Sequence, residues 1–166
     1  MQEYVIRKAM DGDREQVVDI FNHFVQNGFA AYPERKADYQ LFDFLKGICR
    51  EGIFYVIERG GKLAGFGLLR HHQRSDAFNR SSELTYFILP EHQRMGLGTR
   101  LLKVLAADAA GLGVETLLAN ISSLNEQSLK FHRKQGFKEC GRFVRVGSKF
   151  GRDFNVIWMQ KFISRG

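Results

Sequence analysis

The stretch ELTYFILPEHQRMGLGTRLL, residues 83–102, restricts the fold more than any other part of the chain. Its first seven residues are rich in β-branched and aromatic side chains and read as a strand. Pro90 closes that strand, because proline cannot donate to a sheet ladder. Gly96 and Gly98 then sit two apart at the mouth of an apolar run with helical spacing. A strand, a tight glycine turn and a helix in that order build an α/β layer and place an anion site at its edge. The first amides of a helix have no partner within it, and the helix dipole concentrates positive charge there. Gln93 and Arg94 add side-chain donors. The turn is not GxGxxG, since Thr99-Arg100-Leu101 follows Gly98, and it lacks the GK[ST] of a P-loop.

The same reading extends along the chain. Residues 4–7 (YVIR) form a short strand. Asp11 or Asp13 caps a helix carrying Val17, Val18, Ile20, Phe21, Phe24 and Val25, which Gly28 ends. A second helix spans 39–50, with Leu41, Phe42, Leu45 and Ile48 on its buried side. FYVIERGGKLAGFGLLR is a hairpin about Gly60-Gly61. Residues 71–80 are polar and turn-like. The helix over 98–110 buries Leu101, Leu102, Leu105 and Ala109, a strand covers 116–121, and a short helix covers 125–135 up to Gly136. The remainder is strand, glycine-containing turn and strand. The resulting order is one strand, two helices, three strands, a helix, a strand, a helix and two strands. It describes a mixed α/β sheet with helices on its faces.

Composition narrows the function. With 166 residues, the chain fits one domain with a real core. At 44% hydrophobic and 26% charged it is globular rather than disordered. No apolar run reaches the roughly 20 residues of a membrane helix, and MQEYVIRKAMDGD has no signal-like apolar core, so a cytoplasmic protein is expected. Cys49 and Cys140 belong to no metal-binding spacing and read as two lone buried thiols in a reducing compartment. His71 and His72 are not a metal pair, because neighbours on a strand face opposite ways. No metal is expected. The net charge of +7 suits nucleic acid or an anionic small molecule. The basic residues are scattered, and no nucleic-acid motif is present. A phosphate-rich ligand accounts for the charge more simply than DNA or RNA does.

Gln93-Arg94-Met95-Gly96-Leu97-Gly98 resembles the Q/R-x-x-G-x-G/A signature of the GNAT superfamily of N-acetyltransferases. NEQSLKFHRKQGF, from Asn125 to Phe137, resembles its second cofactor segment. NHFVQNGFAAY (22–32), the Glu83 strand, LKFHRKQGF and VGSKFGRDFNVIWMQ (146–160) look like the phosphinothricin and L-amino-acid (methionine sulfoximine) N-acetyltransferase group. The resemblance covers nearly the whole chain and implies a single N-acetyltransferase domain over 1–166. It implies the GNAT acyl-CoA N-acyltransferase fold: a mixed, mostly antiparallel sheet flanked by helices. The implied co-substrate is acetyl-CoA. Its pyrophosphate would lie on the turn formed by Gln93, Arg94, Met95, Gly96, Leu97, Gly98 and Thr99. Its pantetheine arm would meet the backbone of Phe87 and Ile88, with Asn125 and Ser128 beside it. Asn125 is also a good helix N-cap.

The implied reaction moves acetyl from a thioester to a small amine. An alkyl amine must lose a proton, and the departing thiolate is helped by one, so a base and an acid are required. Glu83 matches the group's proposed base, acting directly or through water. His132 stands where many superfamily members have tyrosine, and is the acid. For the amine substrate, the resemblance implies Tyr32, Arg74, Phe78 and Lys149. The 71–78 loop departs from the group's two-arginine pattern, leaving Arg74 alone to hold a carboxylate. Two other readings stay open: a protein or peptide N-acetyltransferase on the same fold, and a non-catalytic acyl-CoA sensor. Members of the group are commonly homodimers, and this chain is expected to follow them by analogy.

Overall fold

The computed structural model describes residues 2–163. Seven strands form one sheet in the order β1-β2-β3-β4-β5-β7-β6. They are β1 (Val5–Lys8), β2 (Cys49–Arg59), β3 (Lys62–His71), β4 (Ser81–Ile88), β5 (Thr116–Ser122), β6 (Lys138–Lys149) and β7 (Arg152–Phe162). Four helices complete it: α1 (Arg14–Gln26), α2 (Leu41–Ile48), α3 (Leu97–Gly111) and α4 (Glu126–Lys134). The expected order of elements holds throughout; most boundaries shift by one or two residues, but β2 begins at Cys49, five residues before the expected Phe54, and takes over the end of the expected 39–50 helix. Among the described residues no helix is long and apolar enough to cross a membrane.

Each helix pair covers one face. Val17, Val18 and Ile20 of α1 and Phe42 and Leu45 of α2 pack against Phe54, Val56, Phe66 and Leu68. Leu101, Leu105 and Ala109 of α3 pack with Ile57, Leu69, Leu84 and Leu117 on the other face. The β2–β3 hairpin turns on Gly60 and Gly61, both at positive φ (61° and 78°), as a tight turn between twisted strands requires. Some apolar helix positions expected in the core are only half-buried. Phe21 and Phe24 of α1, with Leu41 and Ile48 of α2, line cavities instead. The two thiols also depart from expectation: Cys140 is exposed on the edge strand β6 and Cys49 is half-buried where β2 begins. An edge strand has no neighbour on one side to cover its side chains.

The break in the sheet decides where function sits. Every strand pair is antiparallel except β4 and β5, whose parallel register joins only Ser81, Ser82 and Glu83 to Thr116, Leu117 and Leu118. Beyond Glu83 the two strands diverge, since β4 runs on to Ile88 and β5 to Ser122. Residues 85–88 of β4 thus keep β3 as their neighbour on one side and face a gap on the other. This edge of β4 can take an extended ligand, as a sheet edge does, although the Ile88 carbonyl already accepts from Gln93.

Candidate active site

Two cavities meet in this gap. The first, about 470 Å³, runs past Phe87 and Ile88 of β4, the 92–99 turn, and Asn125, Ser128 and Phe131 of α4. The second, about 280 Å³, lies beneath the 27–40 segment and is walled by α2, β4, β5 and α4. Ala30, Tyr86, Phe87, Asn125 and Ser128 line both. A ligand threaded along the first cavity therefore reaches the second through the split in the sheet.

The geometry of the glycine turn suits an anion. Arg94 (φ 61°) and Gly96 (φ 73°) both take the left-handed conformation, which points successive amides to one side. Gly96 leads into α3, and a Cβ placed on it would meet nothing within 4 Å. Its outer face is therefore open where a pyrophosphate would sit. Gly98 is different: a Cβ there would come within 3.1 Å of the Phe131 ring. This glycine makes room for α4 as well as lining the cavity. Most of the residues expected around the cofactor do line this cavity: Phe87, Ile88, Gln93, Arg94, Gly96, Leu97, Gly98, Thr99, Asn125 and Ser128. Leu97 buries its side chain in the core and offers only backbone. The Thr99 hydroxyl accepts from Gln135 (2.9 Å), and Gln93 donates to the Ile88 carbonyl (2.8 Å). Asn125 caps α4 by accepting from the Ser128 amide (3.3 Å) and also lines the cavity. Met95 is a correction. It is exposed and faces the Tyr4 hydroxyl at 3.4 Å, away from the cavity.

At the junction stands a pair that sequence reading found only by half. His132 is buried (3% exposed) and lines the second cavity. Its Nδ1 donates to the Ser128 carbonyl at 2.7 Å. In the neutral ring this leaves Nε2 as an acceptor, and Nε2 takes the hydrogen bond of Tyr86 Oη at 2.5 Å. Burial holds the imidazole below its usual value and raises the Tyr86 phenol, so both groups are neutral near pH 7. The proton of the pair therefore sits on Tyr86. Tyr86 lies inside the strand read over 83–89, and no local pattern marked it.

Glu83 is placed where β4 and β5 part, but it is buried (5% exposed) and engaged. Its Oε2 accepts from Arg70 Nε (2.8 Å) and Nη2 (2.5 Å), and its Oε1 is 2.9 Å from His72 Nδ1. Arg70 lies directly across the ladder from Glu83. Of these three residues, Arg70 lines the second cavity.

The substrate residues expected from the chain divide. Tyr32 lines the second cavity, stacks on Phe154 at 5.7 Å and donates to Asn120 Oδ1 at 2.9 Å; burial pushes its phenol up to about 12. Arg74 and Phe78 lie exposed on the 72–80 loop and line neither cavity, because the β3–β4 register carries that loop past the end of the sheet. Lys149 is buried at 1% exposure, and its Nζ donates to the Ala31 carbonyl at 2.6 Å and the Phe24 carbonyl at 3.4 Å. It pegs the roof of the cavity rather than contacting what lies inside.

Comparison with known proteins accords with this geometry. Residues 17–137 match the acetyltransferase (GNAT) family. The chain is 30% identical over 157 residues to an L-amino acid N-acyltransferase of Escherichia coli (strain K12), covering 93% of this chain and 91% of that one. The crystal structure of a ribosomal-protein-alanine N-acetyltransferase from Brucella melitensis superposes with a TM-score of 0.87 at 33% identity, covering 96% and 99% of the two chains. A phosphinothricin acetyltransferase from Sinorhizobium meliloti, solved with acetyl-CoA, gives a TM-score of 0.89 at 25% identity, covering 98% and 90%. The chain belongs to the GNAT family and is an acetyl-CoA-dependent N-acetyltransferase.

Proposed function

We propose that the protein acetylates the amino group of a small amine, an L-amino acid or an analogue such as phosphinothricin or methionine sulfoximine. The observation that carries this reading is the roofed cavity of about 280 Å³ that opens onto the cofactor groove at the split between β4 and β5. That volume suits one amino acid. Lys149 and the Tyr32–Asn120 hydrogen bond hold the 27–40 segment down over it.

Acetyl-CoA supplies an activated acetyl thioester. The open face of Gly96, the α3 amides and Arg94 would hold its pyrophosphate, and the free edge of β4 at Phe87 and Ile88 would hold its pantetheine arm. Tyr86 stands at the junction of the two cavities. Its hydroxyl proton, held by His132 Nε2 in the resting site, would turn from that nitrogen to the sulfur as the thiolate departs. Glu83 is the proposed base. Because its oxygens face Arg70 and His72, it would receive the amine proton through a bridging water. The expected homodimer would cover the exposed Phe143, Val144 and Val146 of β6, which sedimentation equilibrium tests.

Thiol release from acetyl-CoA is the direct test, across amino acids, methionine sulfoximine, phosphinothricin, polyamines and a basic peptide. Turnover of amino acids or their analogues is the expected result. Tyr86→Phe should lower kcat about 100- to 10,000-fold, the scale of a lost general acid, with little change in acetyl-CoA affinity. Turnover of the peptide alone would replace this reading with protein acetylation. Acetyl-CoA binding without thiol release from any amine would make the protein a sensor.

A further inference from the structure

We infer that Arg70 reads the carboxylate of the acceptor, and that the acceptor is an amino acid with an apolar side chain. This deepens the proposed function and rests on it. The second cavity has an unequal lining. Toward α1 and α2 it is made of Phe21, Leu41, Phe44, Leu45 and Ile48. Arg70 is its one lysine, arginine, aspartate or glutamate. A permanent cation at the border of an apolar pocket recognises an anion attached to an apolar body.

Arg70 is also pre-set for the task. It sits on β3 opposite Glu83, and its Nε and Nη2 both bond Glu83 Oε2. That grip fixes the plane of the guanidinium and uses one edge of it. The remaining donors, Nη1 among them, stay available, and the side chain keeps 39% of its surface exposed. His72 Nδ1, at 2.9 Å from the other Glu83 oxygen, keeps that carboxylate from turning. A side chain locked before binding loses little rotamer freedom when the ligand arrives. The exposed Arg74 has no such support and lines neither cavity. The arginine that reads the substrate thus comes from the strand rather than the loop. The α2 wall has no cation or hydroxyl for a phosphinate or sulfoximine group, so a phenylalanine- or methionine-like side chain suits it better.

The test pairs each amino acid with the amine that lacks its carboxylate: L-phenylalanine with phenethylamine, and L-methionine with 3-(methylthio)propylamine. Steady-state KM and kcat are measured for wild type, Arg70→Gln, Glu83→Gln and the double variant. Calorimetric titration of the same four compounds into CoA-loaded protein gives binding without turnover. Wild type should favour the amino acids. Arg70→Gln should raise their KM and Kd about 10- to 100-fold, the scale of a lost charge-assisted bidentate contact, and leave the Kd of the decarboxylated amines unchanged, while kcat falls alike for both members of a pair because Glu83 loses its anchor. The double variant, in which no lone charge remains, should match Arg70→Gln in KM and Kd while its kcat falls as in Glu83→Gln. That result separates lost recognition from misfolding around an unpaired Glu83. Glu83→Gln keeps an oxygen for Arg70 and should lower kcat while largely preserving KM.

Equal loss of binding for both members of each pair would overturn the assignment, as would wild-type preference for the bare amines. Tight binding of phosphinothricin with no binding of phenylalanine would overturn the apolar part. Thiol release from some other amine class, with no binding of these four compounds, would overturn the inference and leave the acetyltransferase standing. Silence toward every amine, with the carboxylate preference still visible by calorimetry, would instead overturn the proposed reaction.

Discussion

Gly96 and Gly98 stand two residues apart and are glycines for different reasons. Gly96 takes a left-handed backbone with open space beside it, and Gly98 has ordinary space for nothing larger than hydrogen because Phe131 lies against it. Only the first of these reasons could be inferred from a turn motif. The second depends on where α4 docks, because Phe131 lies about thirty residues further along the chain. Gly98→Ala should therefore destabilise the fold by about 1–3 kcal/mol, the cost of overpacking a close contact. The double variant with Phe131→Leu should recover most of it, and urea unfolding of the four proteins of that cycle checks this. If the single variant is harmless, the contact does not restrict the site. The same lesson holds for Arg70 and Tyr86. Both looked like ordinary strand residues, and each acquired a role only through its partner, Glu83 across the ladder and His132 across the helix–sheet interface.

Among the elements, the roof of the second cavity depends on a residue far from it in sequence. Lys149 closes the β6–β7 hairpin, yet its ammonium is capped by the carbonyls of Ala31 and Phe24. Burial pushes its pKa down, so the charge is retained there at some cost and is compensated by those oxygens. Lys149→Met should leave the Ala31 carbonyl without its donor and cost about 1–3 kcal/mol. Hydrogen exchange should rise across residues 27–40 and much less across β6, and KM for the amine should rise more than KM for acetyl-CoA. Uniform exchange across the protein would show that the peg is not specific to the roof. The Lys149–Arg152 stretch was the most distinctive motif in the chain. The structure shows that distinctiveness can come from holding a wall in place as well as from touching a ligand.

For the whole molecule, the buried histidine couples stability to pH. The folded-state pKa of His132 lies below the ordinary 6.5, so below that value the unfolded chain binds more protons than the folded one. The stabilisation is complete above about pH 6.5 and is lost as pH falls through the window beneath it, with a limiting slope of about 1.4 kcal/mol per pH unit. His132→Gln can keep a donor for Ser128 and an acceptor for Tyr86, and should flatten this dependence between pH 7 and 5. Melting curves of both proteins over that range provide the check, and parallel curves would remove His132 as the cause.

Much of this architecture was written locally. Apolar residues at helical spacing set α1 and α3, Gly60-Gly61 set the hairpin, Asn125 set the start of α4, and the strand–glycine–helix run located the turn that lines the first cavity. These follow from backbone sterics and short-range periodicity, which a sequence carries directly. The tertiary structure alone decided the site's chemistry. It paired β4 with β5 for three residues and then parted them, closed two cavities into one path, turned Met95 out, left Arg74 and Phe78 on the surface, and tied Glu83 to Arg70. Those outcomes depend on strand register and on side chains meeting across elements, and such distances are fixed only when the whole chain packs.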